Sequence, residues 1–129
     1  MTSLAERYQA YLDCLNAQNW EALGEYVADD VRHNGRDLGL SGYREMLIGN
    51  YEDIPDLSFK AGLLVCEAAW VAARLDFDCT PKGEFLGVPV NGQRVAFREN
   101  VFYEFRDGRI VTVWSVVDKA GIEEQLNAG

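Results

Sequence analysis

The 129-residue sequence predicts a single α+β domain, residues 1–129, with helices held against one face of an antiparallel sheet. Three observations predict it. Apolar residues recur at helical spacing through the first part of the chain, they alternate with period two from Leu57 onward, and clusters of turn formers punctuate the second half. The length suits one core and therefore one site.

The first helix is expected over residues 3–17, where Leu4, Tyr8, Tyr11, Leu12 and Leu15 form one stripe and Thr2 or Ser3 can cap the start. Asn19 can cap a second, short helix carrying Trp20, Leu23, Tyr26 and Val27 and ending in the Ala28-Asp29-Asp30 turn. After a Gly35 to Gly39 loop, Ser41 can cap a third helix with Tyr43, Met46, Leu47 and Tyr51 on one side, until Pro55 forbids continuation. Leu57, Phe59 and Ala61, then Val71, Ala73, Leu75 and Phe77, alternate as half-buried strands do. Pro81 to Gly92 reads as a loop, and Arg106-Asp107-Gly108-Arg109 as a tight hairpin between runs 94–105 and 109–117. Four strands in sequence give an antiparallel meander, and Lys119 to Leu126 a closing helix. A twisted sheet wrapped around such helices leaves a cavity at its open end, where a function would sit.

Composition narrows the classes of function. Hydrophobic content of 48% and charged content of 26% are ordinary for a globular domain and exclude a disordered or fibrous reading. A net charge of -9 opposes nucleic acid and anionic membrane as partners, because both require clustered Lys and Arg. Cys14, Cys66 and Cys79 are too few and too widely spaced for a disulfide framework or a metal cluster, and Cys66 and Cys79 read as small buried hydrophobes. With no signal-like segment at the start, a cytoplasmic home is expected. The sequence carries no phosphate loop, metal cluster or nucleophile elbow, so neither metal nor cofactor is expected.

Three motifs stand in order in the second half: Gly83-Glu84-Phe85-Leu86-Gly87-Val88-Pro89-Val90-Asn91-Gly92, then Arg106-Asp107-Gly108-Arg109-Ile110, then Trp114-Ser115-Val116-Val117-Asp118. Together with Val31-Arg32-His33-Asn34-Gly35, they resemble the SnoaL-like polyketide cyclases of the nuclear-transport-factor-2-like superfamily, and the resemblance spans nearly the whole chain. It implies a conical antiparallel sheet curved around three N-terminal helices and enclosing a ligand pocket. It also implies a homodimer or a larger assembly and, as in the cyclases, intramolecular aldol closure without metal or cofactor. The leading expectation for this chain is cofactor-free proton transfer next to a carbonyl, as a cyclase, isomerase or lyase, on an apolar or aromatic carbonyl compound. The family's acid/base aspartate follows the tryptophan of the last strand; here that position is Ser115, whose hydroxyl needs a neighbouring base to act. A histidine frequent in the family is replaced by Pro81. The departure at Ser115 leaves a non-catalytic binding module of the same fold as the alternative.

Individual residues refine this. His33 is the sole histidine and matches a polar pocket position of the family, although it could equally tie down the Asn34-Gly35 turn. Glu99 alternates with Val101, Tyr103 and Phe105, which sets a carboxylate on an apolar face unless Arg74 or Arg98 pairs with it or a bulge turns it outward. His33, Glu99 and Ser115 are the catalytic candidates. Tyr43, Tyr51, Arg98, Val101, Tyr103, Trp114 and Asp118 are the ligand-binding candidates, the aromatics as flat walls and Arg98 as a carbonyl partner. Asp118 is better placed as the cap of the closing helix, and Asp76 and Asp78 belong on the solvated face of their strand.

Overall fold

The structure, a computed structural model, describes residues 3–128. Its elements are α1 (Leu4–Asn16), a 3-10 helix (Trp20–Glu25), β1 (Val27–His33), β2 (Arg36–Asp37), α2 (Gly39–Asp53), β3 (Ala61–Glu67), β4 (Trp70–Cys79), β5 (Glu84–Phe85), β6 (Val88–Pro89), β7 (Val95–Arg106), β8 (Arg109–Val117) and α3 (Lys119–Ala128).

Helix α1 starts where its capping residues dictate. The Ser3 hydroxyl accepts from the Glu6 amide at 3.1 Å and donates to the Glu6 carboxylate at 3.1 Å, satisfying one of the orphan donors of the first turn. The alternative cap, Thr2, lies outside the described residues. The buried stripe is Tyr8, Tyr11, Leu12, Cys14 and Leu15. Helix α2 buries Tyr43, Leu47 and Tyr51, but it begins at Gly39, two residues before the predicted Ser41 cap, and no side chain caps it.

The expected second helix is replaced by the 3-10 turn, and the residues expected to end it open strand β1. A six-residue segment interrupted by Gly24 supplies little helical stability. The backbone of β1 is instead satisfied by parallel pairing with β8, at Val27 with Ile110, Arg32 with Thr112 and His33 with Val113. Asn34 and Gly35, both at positive φ, then turn the chain into β2 with His33 opposite Arg36.

The six-stranded sheet runs β2-β1-β8-β7-β4-β3, so the predicted four-strand meander of β3, β4, β7 and β8 is present and is extended by β1 and β2. Leu57 and Phe59 precede β3 rather than belonging to it. Phe59 is held by the Asn16 side chain, which accepts from its amide at 2.7 Å and donates to its carbonyl at 2.9 Å, so a helix terminus takes the place of a strand partner. The hairpin between β7 and β8 turns at Asp107 and Gly108, both at positive φ, as the sequence predicts. Helices α1 and α2 cover one face of the sheet, and the core of Tyr8, Leu12, Leu15, Leu23, Val71, Leu75 and Ile110 fills the space between. Helix α3 closes one end. Its first turn is capped by Asp118, which accepts from the Gly121 amide at 3.0 Å, and Ile122 is wholly buried.

Candidate active site

The core does not fill the whole space under the sheet. At the end away from the β7–β8 turn it leaves a cavity of about 540 Å³, large enough for a drug-sized molecule. Its apolar wall is built from Met46, Leu47 and Ile54 of α2, Leu57 and Phe59 of the following segment, and Phe77, Phe97, Val101 and Val113 of the sheet. Phe85 and Leu86 of the small β5–β6 hairpin stand over it, with Leu86 exposed and held at φ 55 beside Gly87. Four tyrosine or histidine rings and a few hydrogen-bonding groups interrupt this lining.

Strand register sets those polar groups in a diagonal row. Glu99 on β7 faces Val117 on β8, Val101 faces Ser115, and His33 on β1 faces Val113. Glu99, Ser115 and His33 therefore lie one step apart on three adjacent strands, all on the inner face, within the reach that diagonal sheet neighbours have. The Ser115 Oγ lies 3.4 Å from His33 Nε2. Ser115 is itself fixed by Asn34, whose side chain accepts from the Ser115 amide at 2.8 Å and donates to its carbonyl at 3.3 Å.

Burial sets the charge states of the row. The Glu99 carboxyl is pushed up to about 7 by desolvation, against which a hydrogen bond from the Ser115 hydroxyl acts in the opposite direction. Neither arginine weighed as its partner reaches it. Arg74 and Arg98 both pair with Asp76 on the outer face, at 3.2 and 3.7 Å. His33 is pushed below its ordinary 6.5 by burial and secondarily by Arg36, so the imidazole is neutral near pH 7. Its Nδ1 is buried without a hydrogen-bond partner, so it does not tie down the Asn34-Gly35 turn.

The cavity thus brings together His33, Glu99, Ser115, Tyr43, Val101 and Tyr103. Four other candidates lie elsewhere. Tyr51 is buried in the core, its hydroxyl donating to the Leu15 carbonyl at 3.0 Å. Arg98 alternates onto the outer face. Trp114 also faces outward, 47% exposed, next to the exposed Phe102 across the strand pair. Asp118 is spent on the α3 cap. The outer-face reading of Asp78 holds, since it takes a two-pronged bond from Arg94 at 2.7 and 2.9 Å. Cys66, expected to be buried, is exposed on the edge strand, whereas Cys14 and Cys79 are buried. Among the described residues no three His, Cys, Asp or Glu side chains are placed to hold a metal ion. No helix among them is long and apolar enough to cross a membrane.

Sequence reasoning passed over Tyr11, Asn34 and Asn50, which also line the cavity. Tyr11 sits in the apolar stripe of α1 and reads as core, yet its hydroxyl lies 2.7 Å from that of Tyr43. A buried tyrosine needs a partner for its hydroxyl, and that requirement was the available signal.

A family model for the SnoaL-like polyketide cyclases matches residues 5–126. The chain belongs to the SnoaL-like polyketide cyclase family. It is similar to a SnoaL-like polyketide cyclase of Agrobacterium tumefaciens, with 56% identity and a TM-score of 0.97 over 98% of this chain and 99% of that one. The fold is shared with IdmH of Streptomyces antibioticus at 23% identity and a TM-score of 0.83, covering 97% of this chain and 99% of that one. It is shared also with AclR of Streptomyces galilaeus, provisionally assigned as a hydroxylase, at 23% identity and a TM-score of 0.74, covering 98% and 99%. No curated protein matches the chain. The α+β architecture with a curved sheet and N-terminal helices is that of these SnoaL-like neighbours. A fold hosts more than one chemistry, so the reaction depends on the groups that line the cavity.

Proposed function

We propose that this SnoaL-like protein is a cofactor-free enzyme that moves a proton at the carbon next to a carbonyl group of an apolar or aromatic small molecule, as aldol cyclisation, isomerisation or a lyase reaction requires. One observation carries the reading: among the described residues a single carboxyl, Glu99, stands without a cationic partner in a largely apolar cavity, with its pKa raised to about 7. A base of that strength is half-ionised near pH 7, and general-base catalysis is most effective when the base's pKa lies near the ambient pH. The Ser115 hydroxyl supports the carboxylate, and the neutral His33 on the other side of Ser115 can accept or return a proton through it. Ser115 thus bridges two titratable groups here instead of serving as the base itself.

The test is deuterium exchange into the α-position of 2-tetralone, followed by NMR in buffered D2O. Wild type is expected to accelerate exchange over buffer, and Glu99→Gln to lower that acceleration by about 100-fold or more, the usual worth of a positioned base. Exchange at the buffer rate with bound ketone overturns the reading.

We also propose that the protein acts as a homodimer through the outer sheet face. Val65 of β3, Phe102 of β7, and Trp114 and Val116 of β8 there expose 63, 55, 47 and 70% of their surface, with Ala72 of β4 between Val65 and Phe102, and apolar patches of this kind mark association surfaces.

A further inference from the structure

The polar row accounts for a base but leaves the substrate oxygen without a partner. Across the cavity from the sheet, α1 and α2 bring Tyr11 and Tyr43 together, both almost wholly buried, with their hydroxyl oxygens 2.7 Å apart. Two hydroxyls carry two protons, and the bond between them uses one. The other has no acceptor among the described residues, in a pocket where an unused donor is costly. The ring of Tyr11 is packed between those of Tyr8 and Tyr103, at centroid separations of 5.9 Å from each, whereas Tyr43 lies beside His33 at 6.2 Å on the cavity wall. Either hydroxyl can be the donor within the pair; with the more tightly packed Tyr11 as donor, the free O–H is that of Tyr43.

We propose that Tyr43 is a further catalytic residue, donating its hydroxyl proton in a hydrogen bond to the carbonyl oxygen of the substrate, with Tyr11 as the positioning residue that orients and polarises it. This rests on the proton-transfer reading above and extends it to the other end of the reacting group. As the α-proton leaves carbon for the Glu99 carboxylate, the C–H electron pair becomes the new C=C bond and the carbonyl π pair moves onto oxygen. The Tyr43 O–H bonds that oxygen more strongly as its charge grows, without giving up the proton. Desolvation, the largest influence on Tyr43, holds the phenol well above neutral and keeps it protonated throughout. A hydrogen bond from Tyr11 leaves Tyr43 a better donor than an isolated phenol. The ligand class that follows is an enolisable aryl ketone or its oxyanion analogue, a phenol, entering oxygen first.

The probe is 4-nitrophenol, whose anion absorbs in the visible range, titrated into wild type, Tyr43→Phe, Tyr11→Phe and Tyr51→Phe. The last loses a hydroxyl that bonds only the Leu15 carbonyl and serves as the control for general damage. Wild type is expected to bind the anion and to lower its apparent pKa. Tyr43→Phe is expected to lose about 10-fold or more in affinity, the worth of a hydrogen bond to a charged group, and Tyr11→Phe to lose less while reducing the pKa displacement of the bound probe. Should Tyr43→Phe fail to fold, the change in the bound-probe pKa in Tyr11→Phe still decides. Equal affinity and equal ionisation in wild type and both cavity variants overturn the donor assignment, while leaving deuterium exchange into 2-tetralone intact. Failure of wild type to bind the probe overturns the donor assignment too, and loss of both signals overturns the proton-transfer reading with it.

Discussion

Replacing Glu99 by glutamine isolates the cost of its charge, because the amide keeps the shape of the carboxyl and removes its titration. Burial raises this group from 4.5 to about 7. A carboxyl with a folded pKa above its unfolded one holds its proton more tightly in the folded state. Its contribution to stability is thus fully present below about 4.5 and is lost as pH rises through about 7, opposite in sign to an ion-paired carboxylate. That interval corresponds to about 3 kcal/mol, since each pH unit is worth about 1.4 kcal/mol. Urea unfolding of wild type and Glu99→Gln at a series of pH values between 4 and 9 reads it directly. The glutamine variant should gain about 3 kcal/mol relative to wild type between the acid and alkaline ends, or on the order of 10 °C in Tm for a domain of this size. Two stability curves that run parallel across the range would show that the Glu99 charge is as well solvated in the folded chain as in the unfolded one, and the argument for a poised base would fail.

The other predictions concern neighbouring residues. Ser115→Ala removes the hydroxyl that favours the Glu99 carboxylate, so the pH at which wild-type stability falls should move upward, measured by the same unfolding series. His33, with its folded pKa lowered by burial and Arg36, should titrate below 6.5 by NMR and should cost stability as pH falls through that region, since protonation favours the unfolded chain. A side chain at Gly62 would overlap the Asp76 carboxylate that Arg74 and Arg98 share. Gly62→Ala should therefore lose about 1–3 kcal/mol in urea unfolding and recover most of it when combined with Asp76→Ala. Phe102→Lys should shift sedimentation toward the monomer without changing 4-nitrophenol binding, because the side chain faces away from the cavity.

Most of the architecture was legible because it follows from local chemistry. The α1 stripe, the Arg106 to Arg109 hairpin and the alternation along β4 and β7 are all written in residues close in sequence. What was not legible is what distant partners decide. Val27 to His33 is a strand because β8 lies alongside to satisfy its backbone, and two adjacent aspartates, Asp29 and Asp30, disguise it as a turn. Phe59 stays out of β3 because Asn16, 43 residues away, takes its backbone bonds.

The site follows the same division. Period two alone sets Glu99 on the inner face with Val101 and Tyr103, and it equally sends Arg98 and Trp114 outward; strand period separates the candidates correctly wherever it is applied strictly. The family pattern, which marks Trp114 and Asp118, does not distinguish residues that build the cone from residues that face its interior. Ser115 shows how the two kinds of information combine. Read against the family motif it is a lost acid, which would favour a pocket that only binds. Read against register it lies diagonally between Glu99 and His33, so under the proposed function the acid/base role falls to Glu99 on β7 and the serine is the bridge. A carboxyl on β7 without a cationic partner is costly to the fold, and an inner face otherwise made of Phe97, Val101, Tyr103 and Phe105 offers no structural return for it. That imbalance is the strongest physical argument that the cavity performs chemistry.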